Sequence, residues 1–449
     1  MNYQDITKVH CIGIGGIGLS AVASILNKKF GLKVSGSDME FTDLTKDLEK
    51  SGIKVTIGHN KNSILNNTDL IIYTSAIPED NPELKRAKEL NIPTITYAQA
   101  LGLLTKDLNT VAVCGTHGKT TTTAMISKVL IDADKDPTIV IGSKMKELQN
   151  RNYRVGKSGV MVVEACEYKR AFLEIFPNII VITNIEPEHL DYYKDFKDYK
   201  KAFKQFVLKL PKDGLVVANN DDKDVMEVVK GCKCKVVKYG LTSGDYQVES
   251  KKIVHKDRKR ASLDLQQPGI HNLENACGTF AVGKHFKIAC KKIEKSLNSF
   301  KGTWRRFDER GKYKNMLVID DYGHHPTEIR ATLRGAREKF PNSNICCVFQ
   351  PHQYSRTKML LKEFGEAFSD ADLVIIPNIY KVRDKNSDVK SVSTEKLVEI
   401  ISKNHPNVIN GKGFNGTKKY LNQHHKEIDV LLVMGAGDIV NFSDELFKS

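Results

Sequence analysis

Two glycine-rich turns, each set between a short apolar run and a helix-forming stretch, limit what this chain can fold into. The first has Gly13, Gly15 and Gly18 in Gly-x-Gly-x-x-Gly order after the apolar run at 9–12, with Asp38 twenty residues beyond Gly18. The second is Gly115-Thr116-His117-Gly118-Lys119-Thr120-Thr121, directly after Val111-Ala112-Val113 and Cys114. Such turns carry the chain from the end of a strand into a helix, and strands that alternate with helices assemble into a mainly parallel sheet. The sequence therefore predicts an α/β protein.

The apolar runs repeat this alternation in three series. Strands are predicted at 9–12, 33–36, 54–57, 70–74 and 94–96, then at 110–113, 138–141, 160–164, 179–183 and 215–218, and last at 316–319, 345–349, 373–376, 408–409 and 430–433. A helix is expected from the second glycine turn to about residue 130. Between 245 and 265 polar and apolar residues alternate, the period of antiparallel strands at a sheet edge. A length of 449 residues fits about three domains, and we place them at 1–107, 108–302 and 303–449.

Composition narrows the class. Hydrophobic residues at 40% and charged residues at 27% describe a folded chain and exclude disordered, collagen-like and coiled-coil sequences. No apolar run reaches the roughly 18 residues of a membrane span, so no membrane insertion is expected. The stretch 9–26 carries four glycines and no small-x-small cleavage site, which fits a strand, turn and helix better than a secretion signal. The nine cysteines, with Cys232 near Cys234 and Cys346 beside Cys347, match no Cys-x-x-Cys pattern and read as reduced thiols in a cytoplasm. A net charge of +15 is spread along the chain without interleaved aromatics, so we expect no nucleic-acid partner but anionic small substrates.

The two turns suit two ligands. Glycines at 13, 15 and 18 let backbone approach a diphosphate, and Asp38 is placed for ribose hydroxyls; the same spacing serves UDP, NAD or simply a tight turn. In the second turn main-chain amides can cradle phosphates, Lys119 can neutralise the β and γ groups of ATP, and Thr120 can ligate magnesium. A generic Walker loop would carry glycine where this chain has Val113, so the spacing points to a narrower group of ATP-binding loops.

Further motifs identify that group. Glu164-Ala165-Cys166-Glu167, Thr183-Asn184-Ile185-Glu186-Pro187-Glu188-His189-Leu190-Asp191 and His271-Asn272-Leu273-Glu274-Asn275-Ala276 follow the loop in order. The third series adds Asp320-Asp321-Tyr322-Gly323-His324-His325-Pro326 and Phe349-Gln350-Pro351-His352-Gln353-Tyr354-Ser355-Arg356-Thr357. Together with the glycine loops, this set resembles the Mur ligases of peptidoglycan synthesis over essentially the whole chain, with the wording of the third series similar to the branch that adds the first amino acid.

The resemblance implies a Rossmann-like UDP-binding domain, a central P-loop ATPase-like domain with a mainly parallel sheet, and a Rossmann-like C-terminal domain that binds the amino acid. It implies ligation of L-alanine to the carboxylate of UDP-N-acetylmuramate, through an acyl phosphate, with ATP and Mg2+ as cofactors. Gly13, Gly15, Gly16 and Gly18 with Ser37, Asp38 and Ser75 would then line the uridine and diphosphate pocket. Gly115, Thr116, Gly118, Lys119, Thr120 and Thr121 would hold ATP phosphates, His271 and Asn275 adenine, and Arg306 the phosphates from the third unit; Arg305 beside it reads as a solvated side chain. Thr120, Glu164 and His189 would ligate magnesium. Asp321, Tyr322, His324 and Arg356 would meet the incoming amino acid, and Lys119, His189, Asp321, His324 and Arg356 form the implied catalytic set; a structural role for His325 is as open as a role in the site.

Three departures touch this picture: Gln353 stands where many members carry arginine, Cys166 where aspartate is common, and Tyr380-Lys381-Val382-Arg383-Asp384 where a small-residue run ending in glutamate is expected. An NAD-dependent dehydrogenase explains residues 9–38 and nothing after 115. A recycling ligase that adds a ready-made tripeptide to the same sugar nucleotide shares the layout, and a non-catalytic nucleotide-binding scaffold has little use for Lys119, Glu164 and His189 together.

Overall fold

The computed structural model describes residues 3–189, 192–256, 258–382 and 384–448. Leu190 and Asp191, which end one of the motifs above, and Arg383 lie outside the described residues.

Three sheets follow the three series. The first joins β1 (Lys8–Ile12), β2 (Lys33–Asp38), β3 (Lys54–Ile57), β4 (Leu70–Tyr73) and β5 (Thr94–Thr96) in the order β3-β2-β1-β4-β5, every pair parallel. The chain winds one way from β1 to β3 and the other way from β4, so the first glycine turn leaves β1 at the crevice where such sheets bind ligands. The helix Ile17–Phe30 that follows buries every residue from Leu19 to Leu26 and stops at Gly31, whose φ of 70° ends it in the left-handed region.

The second sheet contains β6 (Asn109–Cys114), β7 (Thr138–Met145), β8 (Arg151–Arg154), β9 (Val160–Glu164), β10 (Ile179–Ile182), β11 (Leu215–Asn219), β12 (Lys235–Gly240), β13 (Tyr246–Glu249), β14 (Lys252–His255) and β15 (Arg258–Ser262). Their order is β15-β14-β13-β12-β11-β10-β6-β9-β7-β8. The interior is parallel. Antiparallel pairing is confined to β7 with β8 at one edge and to β13, β14 and β15 at the other, the region where the sequence alternates. One detail differs from expectation: β13 itself pairs parallel with β12.

In the third sheet β16 (Asp308–Tyr313), β17 (Met316–Asp321), β18 (Ile345–Phe349), β19 (Leu373–Ile376), β20 (Val408–Asn410) and β21 (Val430–Met434) lie in the order β16-β17-β21-β18-β19-β20, antiparallel only between β16 and β17. Successive residues of a strand face opposite ways. Accordingly Cys347, Phe349, Leu432 and Met434 enter one core, and Cys346, Val348, Leu431 and Val433 enter the core on the other face. All nine cysteines are free thiols.

The chain gathers into two compact units, 1–264 with 274–300, and 265–273 with 301–449. Within the first unit the two sheets are joined through side chains: Asn152 Nδ2 donates to Ile17 O at 2.5 Å, and Lys29 Nζ donates to Gly156 O at 2.7 Å. Gly102 packs so closely on Glu174 that a Cβ there would lie 2.3 Å from its carbonyl oxygen. Within the second unit Gly335 sits against Pro268 and Gly269, and Gln267 Nε2 donates to Lys301 O at 3.1 Å.

Candidate functional site

In the first unit the second glycine turn connects β6 to the helix Lys119–Asp132. Gly118 precedes the helix at φ 79°, and Gly115 at φ 137° lies where an added Cβ would sit 2.0 Å from Thr183 Oγ1. Both positions need glycine, for backbone angle and for space. The end of β10 fastens the loop: Thr183 Oγ1 donates to His117 O at 2.6 Å, Asn184 Oδ1 accepts His117 N–H at 2.8 Å, and Asn184 O accepts Thr116 N–H at 2.9 Å. Thr116 is buried, its hydroxyl 3.1 Å from the Tyr199 hydroxyl. Asn275, on the helix Ile270–His285, covers Gly118 with its side-chain oxygen. Thr121 is half-buried on the first turn of its helix.

Lys119 organises the charge. Its Nζ donates to Gly115 O at 2.6 Å, to Thr116 O at 2.9 Å and to Glu167 Oε1 at 3.1 Å. Glu167 is 1% exposed, and the same Oε1 lies 3.4 Å from His189 Nε2. Burial disfavours a charge on Glu167, yet the Lys119 ammonium and the His189 ring outweigh it and hold the carboxyl below its usual range. Burial likewise opposes the charge on Lys119, and the surrounding carboxylates, Glu167 first, drive its pKa up. Its neighbour Thr120 donates from Oγ1 to Glu164 Oε1 at 3.0 Å, while Glu164 Oε2 accepts Gly142 N–H at 2.8 Å. His189, at φ 56°, stands 4.8 Å from the Tyr168 ring. A hydroxyl, two carboxylates and an imidazole thus border the loop, and Glu167 Oε2 is buried with no hydrogen-bond partner. This oxygen-rich donor set, with an unspent carboxylate oxygen, fits a hard divalent cation.

Sequence reasoning places Lys119, Thr120, Glu164 and His189 in one region; in the first unit Glu167 joins Lys119 to His189, while Thr120, next to Lys119, pairs with Glu164. The sequence motifs assign no role to Glu167, although the Glu-x-x-Glu spacing after an apolar strand is a signal for it. Tyr199 lies on a helix whose pattern signals only packing. Glu274 was also passed over. It accepts Asn219 Nδ2 at 3.0 Å, and that amide also donates to Thr183 O at 2.8 Å, so Glu274 supports the strand end that holds the loop.

Burial, with Asp221 and Asp222 close by, pushes the Glu274 carboxyl up to about 7 from its ordinary 4.5, against the Asn219 hydrogen bond. Between those values the folded chain keeps a proton that the unfolded chain has lost, so stability falls as pH rises through the window. Glu274→Gln keeps the acceptor and removes the titration. We expect its melting temperature to be flatter than the parent's from about pH 5 to pH 7 and higher than the parent's above it; parallel melting curves across that range would refute this assignment.

At the first glycine turn Ser37 O accepts the amides of Gly13 and Ile14 at 2.8 and 3.0 Å, and Gly16 N–H returns to Gly13 O at 3.1 Å. Asp38 Oδ2 accepts Gly15 N–H at 2.7 Å, so this carboxylate braces the turn. Gly18 lies on the Tyr97 ring, where a Cβ would come within 2.6 Å. Ser75 is exposed in the loop after β4. Ser37 departs from expectation. Its side chain is fully buried and donates to Glu83 Oε2 at 2.5 Å, within a cluster that includes His59, so it supports the turn from beneath and presents no hydroxyl to a pocket.

In the second unit Asp321 ends β17 with both oxygens engaged: Oδ2 accepts Phe307 N–H at 2.8 Å and Oδ1 accepts Gly323 N–H at 2.7 Å. It fixes the loop that carries Tyr322 and His324. His324 N–H donates to Glu328 Oε2 at 2.9 Å, and its ring centroid is 6.1 Å from that of His352. His325 caps the helix Pro326–Lys339, accepting Thr327 N–H on Nδ1. Arg306 lies 3.6 Å from Glu328 Oε1 and over the Tyr322 ring. Arg305 is not solvated: at 6% exposure it donates to Gly435 O and lies 5.0 Å from the Tyr322 ring centre, because the sheet end needs a donor for that carbonyl. His271 Nδ1 is buried without a partner, and burial together with Arg306 pulls its pKa down to about 4, leaving a neutral ring at neutral pH. Arg356, on the helix Tyr354–Met359, has Nη1 3.5 Å from His352 Nδ1.

Three family models match in succession along the chain. Residues 8–108 match the model of the Mur ligase family catalytic domain, 113–283 the Mur ligase middle domain, and 305–437 the Mur ligase glutamate ligase domain. A UDP-N-acetylmuramate--L-alanine ligase of Clostridium kluyveri is 44% identical over 443 residues, covering 96% of each chain. One of Clostridium perfringens is 41% identical over 457 residues, covering 99% of each. Among solved structures, a UDP-N-acetylmuramate-alanine ligase of Thermotoga maritima superposes with a TM-score of 0.81 at 31% identity over 98% of both chains. A murein peptide ligase of Psychrobacter arcticus, at 22% identity, shares the fold with a TM-score of 0.73.

Proposed function

The chain belongs to the Mur ligase family, and from that premise we propose that it joins L-alanine to the carboxylate of UDP-N-acetylmuramate, consuming ATP. The observation that carries this reading is the loop around Lys119, where one ammonium, one hydroxyl and two carboxylates converge at a strand-to-helix turn. A carboxylate accepts an amine only after activation, and phosphoryl transfer is mainly positioning and charge neutralisation. Lys119 would exchange the Gly115 and Thr116 carbonyls for phosphate oxygens, with Gly118, Thr120 and Thr121 offering amides at the helix start. Thr120, Glu164, Glu167 and His189 are the residues that would hold magnesium, which supplies charge neutralisation at the transferred phosphate. Asn275 and His271 are the proposed adenine contacts, and Arg306 a further contact to ATP.

The first glycine turn is the proposed diphosphate site, built from Gly13, Gly15, Gly16 and Gly18 with Asp38 and Ser75 at its rim. In the second unit Arg356 is the proposed clamp for the amino-acid carboxylate, with Tyr322 and His324 beside it. Asp321 acts there as a positioning residue. Attack of the alanine amine on the acyl phosphate releases phosphate and forms the amide.

Phosphate release measured with UDP-N-acetylmuramate, ATP and each of the twenty amino acids tests the assignment. L-Alanine should be preferred, with glycine and L-serine slower but measurable, since an apolar pocket separates one methylene by only ~1 to 3 kcal/mol. A preference for a tripeptide, or for a large or acidic amino acid, would overturn it. Arg356→Lys keeps the charge but loses the planar fork, so KM for L-alanine should rise by about tenfold with KM for ATP nearly unchanged. Equal effects on both constants would remove Arg356 from the amino-acid site.

A further inference from the structure

The helix that carries Arg356 is six residues long, and its start is held from elsewhere in the chain. Gln353 precedes it at φ 73° and makes no side-chain cap. Asp384 supplies one. Its Oδ1 accepts both the main-chain N–H and the hydroxyl of Ser355 at 3.0 Å, and its Oδ2 accepts Val382 N–H at 3.3 Å. Three more contacts close the same loop on the turn: Gln353 N–H donates to Tyr380 O at 3.0 Å, Tyr380 N–H donates to Pro351 O at 2.9 Å, and the Tyr380 ring stacks on His352 with centroids 5.5 Å apart. His352 in turn lies against Arg356. The segment in which this chain departs from the expected small-residue run is therefore the partner of the turn that bears the arginine.

We propose that Asp384 is a positioning residue for amino-acid binding: by capping the helix at Ser355 it fixes the direction in which Arg356 leaves the backbone. The inference rests on the reading of Arg356 as the amino-acid clamp. A carboxylate that accepts two donors at a helix start contributes a charge-assisted cap, and a helix this short has few other bonds to hold its axis. A bidentate clamp tolerates little misdirection, so the loss should appear in the affinity for the amino acid and not in the handling of ATP.

Kinetics and hydrogen exchange on the full chain test this together. Asp384→Ala should raise KM for L-alanine about tenfold, leave kcat and KM for ATP within about twofold, and speed amide exchange at 353–357. Asp384→Asn, which keeps an acceptor for Ser355, should restore most of the alanine affinity and of the protection. An unchanged alanine KM, or a uniform shift of every constant together with the melting temperature, would overturn the proposal, as would unaltered exchange in the turn. If the parent protein releases no phosphate in response to L-alanine, the functional reading fails instead, and the exchange data alone decide whether Asp384 holds the turn.

Discussion

Lys119→Ala is expected to lower ligation turnover by ~10²-fold or more while leaving the affinity for UDP-N-acetylmuramate within about twofold. The ammonium joins the loop carbonyls of Gly115 and Thr116 to the buried Glu167, and a pre-placed cation at a transferring phosphate acts where charge develops in the transition state. The glycine turn at Gly13, the proposed diphosphate site, opens from a different sheet, so the sugar nucleotide should not register the change. The fold should survive as well. Without Lys119 the Glu167 carboxyl loses the cation that holds its pKa down, so it can take up a proton rather than remain a bare buried charge. Titration calorimetry with the sugar nucleotide, alongside phosphate release, separates the two effects. Turnover at the parent level would show that the loop does not serve ATP.

Most of the architecture was legible because parallel strands covered on both faces are short apolar runs. Every strand read from the sequence is present, each within a few residues of its expected ends. The strands that escaped are β8, β12 and β16, which read Arg-Asn-Tyr-Arg, Lys-Val-Val-Lys-Tyr-Gly and Asp-Glu-Arg-Gly-Lys-Tyr. Two of these lie at sheet edges and one toward an edge, where one face meets solvent and charge replaces the apolar run. The glycine turns were legible for a different reason: Gly115 and Gly118 are required by backbone angle, which acts locally, as well as by contact with Thr183 and Asn275. Side-chain direction was not legible. Ser37 and Asp38 are adjacent, and the resemblance implied one pocket for both, yet the alternation along β2 sends the serine into the Glu83 cluster while the aspartate braces Gly15. The burial of Arg305 was not legible either, since the carbonyl that it satisfies lies at Gly435, 130 residues away.

Glu167 is where pairing across the fold matters most, and its removal should have the second large effect. Its Oε1 is shared between Lys119 at 3.1 Å and His189 at 3.4 Å, and its Oε2 has no hydrogen-bond partner. Glu167→Gln preserves shape but leaves the Lys119 charge, with a side chain only 15% exposed, facing an amide. Breaking a buried pair from one side typically costs ~3 to 5 kcal/mol, whereas removing both partners costs far less. The single variant should therefore melt well below the parent, and Glu167→Gln combined with Lys119→Met should regain much of that stability without regaining activity. Purely structural pairing would predict that stability and turnover recover together. His189→Ala distinguishes the cation side of the site: it removes a ring from Glu167 but leaves Lys119 paired, so stability should change little while the magnesium concentration for half-maximal rate rises several-fold. A magnesium titration identical to the parent's would take His189 out of the metal site. Full activity of Glu167→Gln would show that the buried carboxylate serves the fold alone.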